Sequence, residues 1–204
     1  RAMAGNLPPA AVSSVALQLA RQEFLAGRYP AAVDAAKKVV DSKPAADVLA
    51  QAHYLIGAAQ HKQSNLGEAI AGYKAALALA PATDLTPLIQ RGLTQAYLDL
   101  RNYPEALTTA KALAEHKRVT GKDRAEALMF LAEAYLNNGR GADAMETYQL
   151  ILKEFPQSEL EPNALLGLAW VAQTKKDRAQ AIATYGALVA VSALVLWWRG
   201  WLRR

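Results

Sequence analysis

Alanines that recur at a nearly constant spacing dominate the pattern of apolar and polar positions along the chain. The intervals are 37, 37, 38 and 37 residues, and the five alanines are Ala32, Ala69, Ala106, Ala144 and Ala181. Four residues after each alanine comes a small or tyrosyl side chain: Ala36, Tyr73, Ala110, Tyr148 and Tyr185. A spacing of four places both residues on one face of a helix. The pattern therefore predicts five copies of one helical unit.

A second apolar position lies shortly before each alanine and is followed directly by a small or short residue. The pairs are Leu19-Ala20, Ile56-Gly57, Leu93-Thr94, Leu131-Ala132 and Leu168-Ala169. Small residues at that place allow two antiparallel helices to approach closely. Three of the five alanines are followed at a fixed distance by Pro44, Pro81 and Pro156, where a helix has to end. Each unit is thus predicted to be a helix, a short turn and a second helix.

This arrangement resembles the tetratricopeptide repeat family, whose units carry W-x2-L-G-x2-Y, then A-x3-F/Y and a terminal proline. Unit two matches with Ile56-Gly57, Leu66, Ala69, Tyr73, Ala76 and Pro81. Unit four matches with Leu131-Ala132, Tyr135, Gly139, Ala144, Tyr148, Ile151 and Pro156. The resemblance implies an all-α fold, a right-handed superhelical solenoid of about five antiparallel helix pairs.

The predicted array covers residues 13–193, with units that begin near residues 13, 50, 87, 125 and 162. Residues 1–12 are an N-terminal extension, either native or left by cloning, and residues 194–204 are an apolar and basic tail. The period exceeds the usual length of about 34 residues. We therefore expect additional residues in the second helix of each unit or in the links between units.

The resemblance also implies which residues would contact a partner. In this family a protein or peptide binds in a concave groove lined by the first helix of each pair. Tyrosine, tryptophan and arginine often anchor such interfaces, whereas Tyr73, Tyr97, Tyr135, Tyr148 and Tyr185 match core positions of the repeat. Carried over position by position, the predicted groove residues of this chain are Arg21, Tyr54, His61, Arg91, Gln95, Met129, Glu133 and Trp170.

Composition and charge narrow the possible functions. The formal net charge is +5, but basic residues are interspersed with acidic ones, as at Lys37 and Lys38 between Asp34 and Asp41. No basic stripe alternates with aromatic residues, so nucleic-acid binding is not predicted. The sequence contains no cysteine, which excludes disulfides and thiolate metal sites. This composition suits an oxidising compartment without requiring one.

No catalytic motif is present in the sequence. His53 and His61 fall on one helix face two turns apart, but further metal ligands at a suitable spacing are missing. There is no phosphate-binding glycine loop, no H-E-x-x-H and no G-x-S-x-G. The sequence therefore predicts a protein that is not an enzyme and that has no cofactor and no metal.

The C-terminal end departs from the pattern of a repeat array. Residues 179–198 carry no charge, and Trp197, Trp198 and Trp201 are followed by Arg203 and Arg204. Because residues 181–188 already fit the second helix of unit five, too few surplus residues remain to span a bilayer. Three interpretations stay open: a helix that caps the array or contacts another copy or partner, a membrane anchor or interfacial segment, and a tail added by cloning.

These observations predict a non-catalytic scaffold that binds a protein or peptide partner in its groove. The extended links are similar to those of tetratricopeptide repeat proteins of the bacterial cell envelope, so a role in envelope assembly and a periplasmic or envelope location are expected, with the cytoplasm as the alternative. Two other functions remain open. One is a structural module that self-associates through the apolar C-terminus, and the other is a membrane-anchored regulatory fragment of a larger protein.

Overall fold

The structure, a computed structural model, describes residues 9–80, 83–174 and 182–186. All regular secondary structure in these ranges is helical, and residues 182–186 are helical as well. The helices are α1 (Pro9–Leu25), α2 (Tyr29–Asp41), α3 (Ala46–Lys62), α4 (Leu66–Leu79), α5 (Thr86–Asp99), α6 (Tyr103–Ala114), α7 (Gly121–Asn137), α8 (Gly141–Glu154) and α9 (Glu161–Thr174). The expected all-α fold of successive helix pairs is confirmed.

The small residues of the repeat pattern lie where paired helices come closest. Four of the five periodic alanines, at positions 32, 69, 106 and 144, have no exposed surface, and the fifth lies outside the described residues. In the second unit two glycines face each other, because a Cβ atom built on Gly72 would lie 2.7 Å from the backbone nitrogen of Gly57. Any larger side chain at Gly72 would force α3 and α4 apart.

The chain divides into an N-terminal body, Arg1–Thr109, and a C-terminal body, Ala110–Arg204. In the N-terminal body, α1 packs on α2, α2 on α3, α3 on α4 and α4 on α5. A buried cluster of Leu17, Ala20, Ala35, Ala36, Val39, Ala52 and Leu55 joins the first three helices. Each helix is therefore held both by its own pair and by the neighbouring unit.

In the C-terminal body, α8 packs between α7 and α9. The Arg124 guanidinium fixes the start of α7, because it donates hydrogen bonds to the Ala114 carbonyl oxygen at 3.0 Å and to a Glu154 carboxylate oxygen at 3.2 Å. An exposed ion pair at 2.8 Å joins Lys122 to Glu159. Such exposed pairs contribute little to stability.

The turn inside each unit contains one residue with a left-handed backbone. It is Gly27 in the first unit (φ 75°), Ser64 in the second (φ 62°), Arg101 in the third (φ 58°) and Gly139 in the fourth (φ 75°). These positions are related by the same spacing as the repeated alanines. The links between units, at residues 42–45, 80–85, 115–120 and 155–160, are longer than these inner turns. Three of the first helices have 17 residues, whereas the second helices have 12 to 14. The expected lengthening of the second helices is therefore not seen, and the longer segments are the links and these first helices.

The second helices end where the sequence predicts. α2 ends at Asp41, α4 at Leu79 and α8 at Glu154, in each case shortly before the proline of the unit. Trp197, Trp198 and Trp201 lie outside the described residues, so the three interpretations of the C-terminal tail stay predictions. Among the helices of the described residues, none combines the length and the apolar character needed to cross a membrane.

Candidate partner-binding surface

Four of the eight predicted groove residues line one cavity in the N-terminal body. Its volume is about 530 Å³, and its walls include Tyr54 and His61 from α3 and Arg91 and Gln95 from α5. The full lining is Phe24, Tyr54, Ala58, His61, Lys62, Ser64, Leu66, Tyr73, Leu88, Arg91, Gly92, Gln95 and Asp99. The first helices of units two and three thus place their predicted groove positions around a single concave site.

Aromatic rings form the wall that α3 and α4 contribute to this cavity. The Tyr54 and Tyr73 rings have their centroids 5.9 Å apart, and the His61 ring meets the Tyr73 ring edge-on at 6.3 Å. Burial raises the pKa of the Tyr54 hydroxyl, and the nearby positive charge of Arg91 acts in the opposite direction. Burial also raises the pKa of the Tyr73 hydroxyl. Both phenols are therefore neutral hydrogen-bonding groups at physiological pH.

Charged groups lie along the rim of the cavity. The Nε2 atom of His61 is 2.7 Å from a carboxylate oxygen of Asp99, a contact that joins α3 to α5. Lys62 is exposed, and Arg91 is half-buried. The cavity therefore combines an aromatic wall with two permanent cations and one carboxylate that already contacts His61. Such a site suits a segment with a large apolar side chain beside acidic groups.

The other predicted groove residues are placed elsewhere. The Arg21 guanidinium donates a hydrogen bond to the side-chain amide oxygen of Gln51, and Arg21 is not in the cavity lining. In the C-terminal body, Met129 is half-buried and Glu133 is exposed on α7, while the Trp170 side chain on α9 is 56% exposed. Leu166, one turn before Trp170, is also exposed. The pair forms an apolar strip on one face of α9.

Of the tyrosines assigned to the core, Tyr73, Tyr97 and Tyr148 are buried. Tyr135 is half-buried, with the Arg140 guanidinium carbon 4.7 Å from its ring centroid. Tyr185 is exposed on the short helical stretch 182–186. Burial, and after it the negative charge of Glu133 on α7, raises the pKa of Tyr148 to about 12.

Among the cavity residues that sequence reasoning missed are three polar ones, Lys62, Ser64 and Asp99. Lys62 is the last residue of α3, and Asp99 is the last residue of α5. In α3 the predicted groove positions end at His61, one residue before the end of the helix, so they do not include Lys62 or the turn that follows it. Polar residues at the C-terminal ends of α3 and α5 are the signal that could have found them. No group of three or more histidine, aspartate or glutamate side chains within the described ranges could hold a metal ion.

A sequence profile described as tetratricopeptide repeat matches residues 17–83 and 92–159, about two thirds of the chain. The chain belongs to the tetratricopeptide repeat family. This tetratricopeptide repeat protein has no match among curated protein sequences. The expected family is therefore confirmed by the profile.

Solved structures confirm the tetratricopeptide-type solenoid fold. MamA from Desulfovibrio magneticus RS-1 superposes with a TM-score of 0.77 at 15% identity, over 89% of this chain and 96% of that one. A tetratricopeptide repeat protein from Parabacteroides merdae gives 0.76 at 18% identity, over 88% of this chain and 66% of that one. Kinesin light chain TPR-like repeats from Podosopora anserina superpose with a TM-score of 0.72 at 19% identity, over 92% of this chain and 98% of that one. At these identities the likeness concerns the fold alone.

Proposed function

We propose that this tetratricopeptide repeat protein is a non-catalytic scaffold that holds a peptide segment of a partner protein in the cavity of its N-terminal body. Membership of the family supports a protein-interaction scaffold in general. The observation that supports the finer proposal is the convergence of Tyr54, His61, Arg91 and Gln95 on one cavity of about 530 Å³. Pockets of this size are large enough to bury the side chains of a short peptide.

The chemistry of the cavity suggests the kind of peptide. A large apolar side chain would pack against the Tyr54 ring and Leu88, both of which are partly exposed in the cavity. Acidic groups next to it would be attracted by Arg91 and Lys62, whose positive charges outnumber the Asp99 carboxylate. The proposed ligand is therefore an acidic segment with an aromatic or long aliphatic anchor.

The proposal is tested with the full chain and a displayed library of random peptides. Selected peptides are synthesised with a fluorophore, and their affinity is measured by anisotropy for the wild type, Arg91→Glu and Lys117→Glu. The control residue Lys117 is exposed in the link between α6 and α7, outside the cavity lining, and its substitution makes the same change in net charge.

We expect Arg91→Glu to weaken binding by about tenfold or more, since an arginine that anchors an interface is worth more than about 1.4 kcal/mol. Lys117→Glu is expected to change the affinity by less than about twofold, because an isolated exposed charge contributes little. Circular dichroism checks that both variants stay folded. Equal affinities for all three proteins would show that the selected peptides do not use this cavity.

We further propose a bacterial envelope location. The support is the absence of cysteine from the 204 residues, together with the similarity of the long links to those of envelope proteins of this family. The test is fractionation of the native host with a C-terminally tagged chain, followed by immunoblotting of periplasmic, membrane and cytoplasmic fractions. Recovery in the cytoplasmic fraction alone, with a periplasmic marker recovered normally, would contradict this location.

A further inference from the structure

The outward face of α1 is apolar and exposed. Val12, Val15 and Leu19 lie on it at helical spacing, with Gln18 beside them, and all four side chains are exposed. Val15 is 62% exposed and Leu19 is 47% exposed. Within the described residues this stripe is a continuous apolar surface on the first helix of unit one.

The same positions are buried in the later units. The positions equivalent to Val15 in units two and three are Ala52 and Ile89, and neither residue has exposed surface. The equivalents of Leu19 are Ile56, which is half-buried, and Leu93, which is 3% exposed. What covers these positions is the second helix of the preceding unit, because α2 packs on α3 and α4 packs on α5. The face of α1 therefore has the character of an interface between repeats.

A rule of size holds at three such interfaces within the described residues. A Cβ atom built on Gly92 would lie only 2.5 Å from the Tyr73 ring, which is too close for a side chain. In the same way, a Cβ atom built on Gly167 would lie 2.3 Å from the Tyr148 ring. Where the second helix instead carries Ala36, the position equivalent to the glycine is Leu55, in the same buried cluster. Tyrosine thus pairs with glycine, and alanine pairs with a large side chain.

The equivalent of these glycines on α1 is Gln18, one period before Leu55. By the size rule, the helix that covers α1 carries a small residue. The exposed helical stretch 182–186 of this chain carries Tyr185 at that place. A second copy stacked end to end would therefore set a tyrosine against Gln18, which the rule disfavours.

We propose that the outward face of α1 receives the second helix of one more tetratricopeptide unit, with alanine or glycine at the position of Tyr73 and Tyr148. The occupant is identified by its chemistry as an alanine-rich helix like α2. The contact continues the repeat-to-repeat interface already present between α2 and α3. It is separate from the cavity and does not depend on the proposed ligand.

The test adds such a unit to the full chain. In the extended protein, residues 1–45 are followed directly by residues 9–204, so that a copy of α2 precedes the original α1 with the native 37-residue period. We expect one cooperative thermal transition with a raised midpoint, since repeat arrays gain stability from each added interface. Separate transitions for the added unit and the rest would overturn the proposal.

A substitution at Val15 provides the specific readout. Val15→Glu in the 204-residue chain is expected to shift the midpoint by less than about 1 °C, because the side chain is exposed. The same change in the original α1 of the extended protein is expected to lower it by at least about 5 °C, because the charge would be buried. Equal small shifts in both backgrounds would show that α1 does not form the interface.

The size rule is tested in the extended protein as well. Ala36→Tyr in the added α2 is expected to remove most of the gain in midpoint, and Gln18→Gly in the adjoining α1 is expected to recover at least about half of that loss. A second copy of this chain is the other molecule that could cover the face of α1, and light scattering of the 204-residue chain measures whether it forms such a dimer. A dimer that Val15→Glu converts to a monomer would show that a second copy covers this face and would overturn the proposal.

Discussion

Tyr73 in the N-terminal body and Tyr148 in the C-terminal body occupy the same place in their units, yet the surfaces beside them differ. Both rings are buried, and both lie over a glycine of the next unit, Gly92 or Gly167. Beside Tyr73 are the rings of Tyr54 and His61, in a cavity that also holds Arg91. Beside Tyr148 is the carboxylate of Glu133.

The comparison separates two kinds of residue in the repeat. The tyrosine and its glycine recur because helices of neighbouring units can approach only where one side chain fills the space that the other leaves. The side chains on the groove surface do not recur, since packing does not constrain them. Differences in recognition between the two bodies should therefore be sought on the groove surface, and differences in stability at the tyrosine–glycine contacts.

The largest expected effect comes from filling the glycine position. Gly167→Leu would place side-chain atoms in the space of the Tyr148 ring, which lies 2.3 Å from the position that a Cβ atom would take on this residue. We expect a loss of about 3 kcal/mol in the free energy of unfolding, at the upper end for overpacking of a core. Gly92→Leu should cost a similar amount, because the Tyr73 ring is 2.5 Å from its Cβ position. Urea denaturation followed by circular dichroism measures both.

Two further variants test whether the loss of stability in Gly167→Leu arises from its contact with the Tyr148 ring. Tyr148→Ala combined with Gly167→Leu recreates the pairing of Ala36 with Leu55, so the double variant should be more stable than Gly167→Leu alone. Gly67→Ala is the matched control, because nothing lies within 4 Å of its Cβ position on α4. It should be neutral or slightly stabilising. Additive costs in the double variant would contradict the size rule.

The repeated positions were predictable from sequence because packing fixes them. Ala32, Ala69, Ala106 and Ala144 were expected at one repeated position of the helical unit and have no exposed surface. The glycine contacts were not predicted. Gly92 and Gly167 lie outside the positions of the family motif, and only the tyrosine of the preceding unit, 19 residues earlier in each case, explains them.

A second prediction concerns alkaline pH. The folded state raises the pKa of Tyr148 to about 12, mainly through burial, whereas the unfolded chain has a tyrosine pKa of about 10. Between these values the folded state binds more protons, so stability is fully present below about pH 10 and is lost as the pH rises towards 12. Tyr148→Phe should weaken this pH dependence, as measured by urea denaturation between pH 9 and 12.

The comparison with the N-terminal body sharpens this test. Burial raises the pKa of Tyr73 as well, so Tyr73→Phe should also weaken the loss of stability at high pH. Tyr29, which lies at the start of α2 and is half-buried, supplies a control. An equal effect of Tyr29→Phe would show that the pH dependence does not arise at the two glycine contacts.

The groove surface was predictable only in part. Tyr54, His61, Arg91 and Gln95 were expected from family positions, and the structure brings them around one cavity. Asp99 was missed because its place in the site depends on how the last turn of α5 lies against α3, which a repeat pattern does not specify. The same limit applies to Arg21, whose guanidinium donates a hydrogen bond to Gln51 and is not in the cavity lining.

A third prediction compares the turns inside the units. The same left-handed position is Arg101 in the third unit and Gly139 in the fourth. A residue other than glycine pays about 1 kcal/mol of free energy to adopt a left-handed backbone conformation. Arg101→Gly should therefore stabilise the protein by up to that amount, and Gly139→Ala should destabilise it by a similar amount. Thermal denaturation measures both. Gly27→Ala should behave like Gly139→Ala, and a stabilising effect of either alanine would contradict this explanation.

The smallest expected effect is at the contact that closes the cavity rim. Asp99→Asn removes the charge that faces Nε2 of His61 at 2.7 Å. The Asp99 side chain is about half exposed, so the loss in the free energy of unfolding should be only about 0.5 kcal/mol. Glu154→Gln, which weakens the 3.2 Å contact of Arg124 in the C-terminal body, is the matched variant and should cost a similar amount.

The two substitutions should nevertheless differ in peptide binding. Removing the Asp99 charge makes the cavity more positive, so an acidic peptide selected on the wild type should bind Asp99→Asn about as tightly or more tightly. Glu154→Gln should leave its affinity unchanged, because Glu154 is not in the cavity lining. Weaker binding by Asp99→Asn at unchanged stability would mean that Asp99 itself contacts the ligand, and the partner segment would then have to carry a basic group rather than acidic ones.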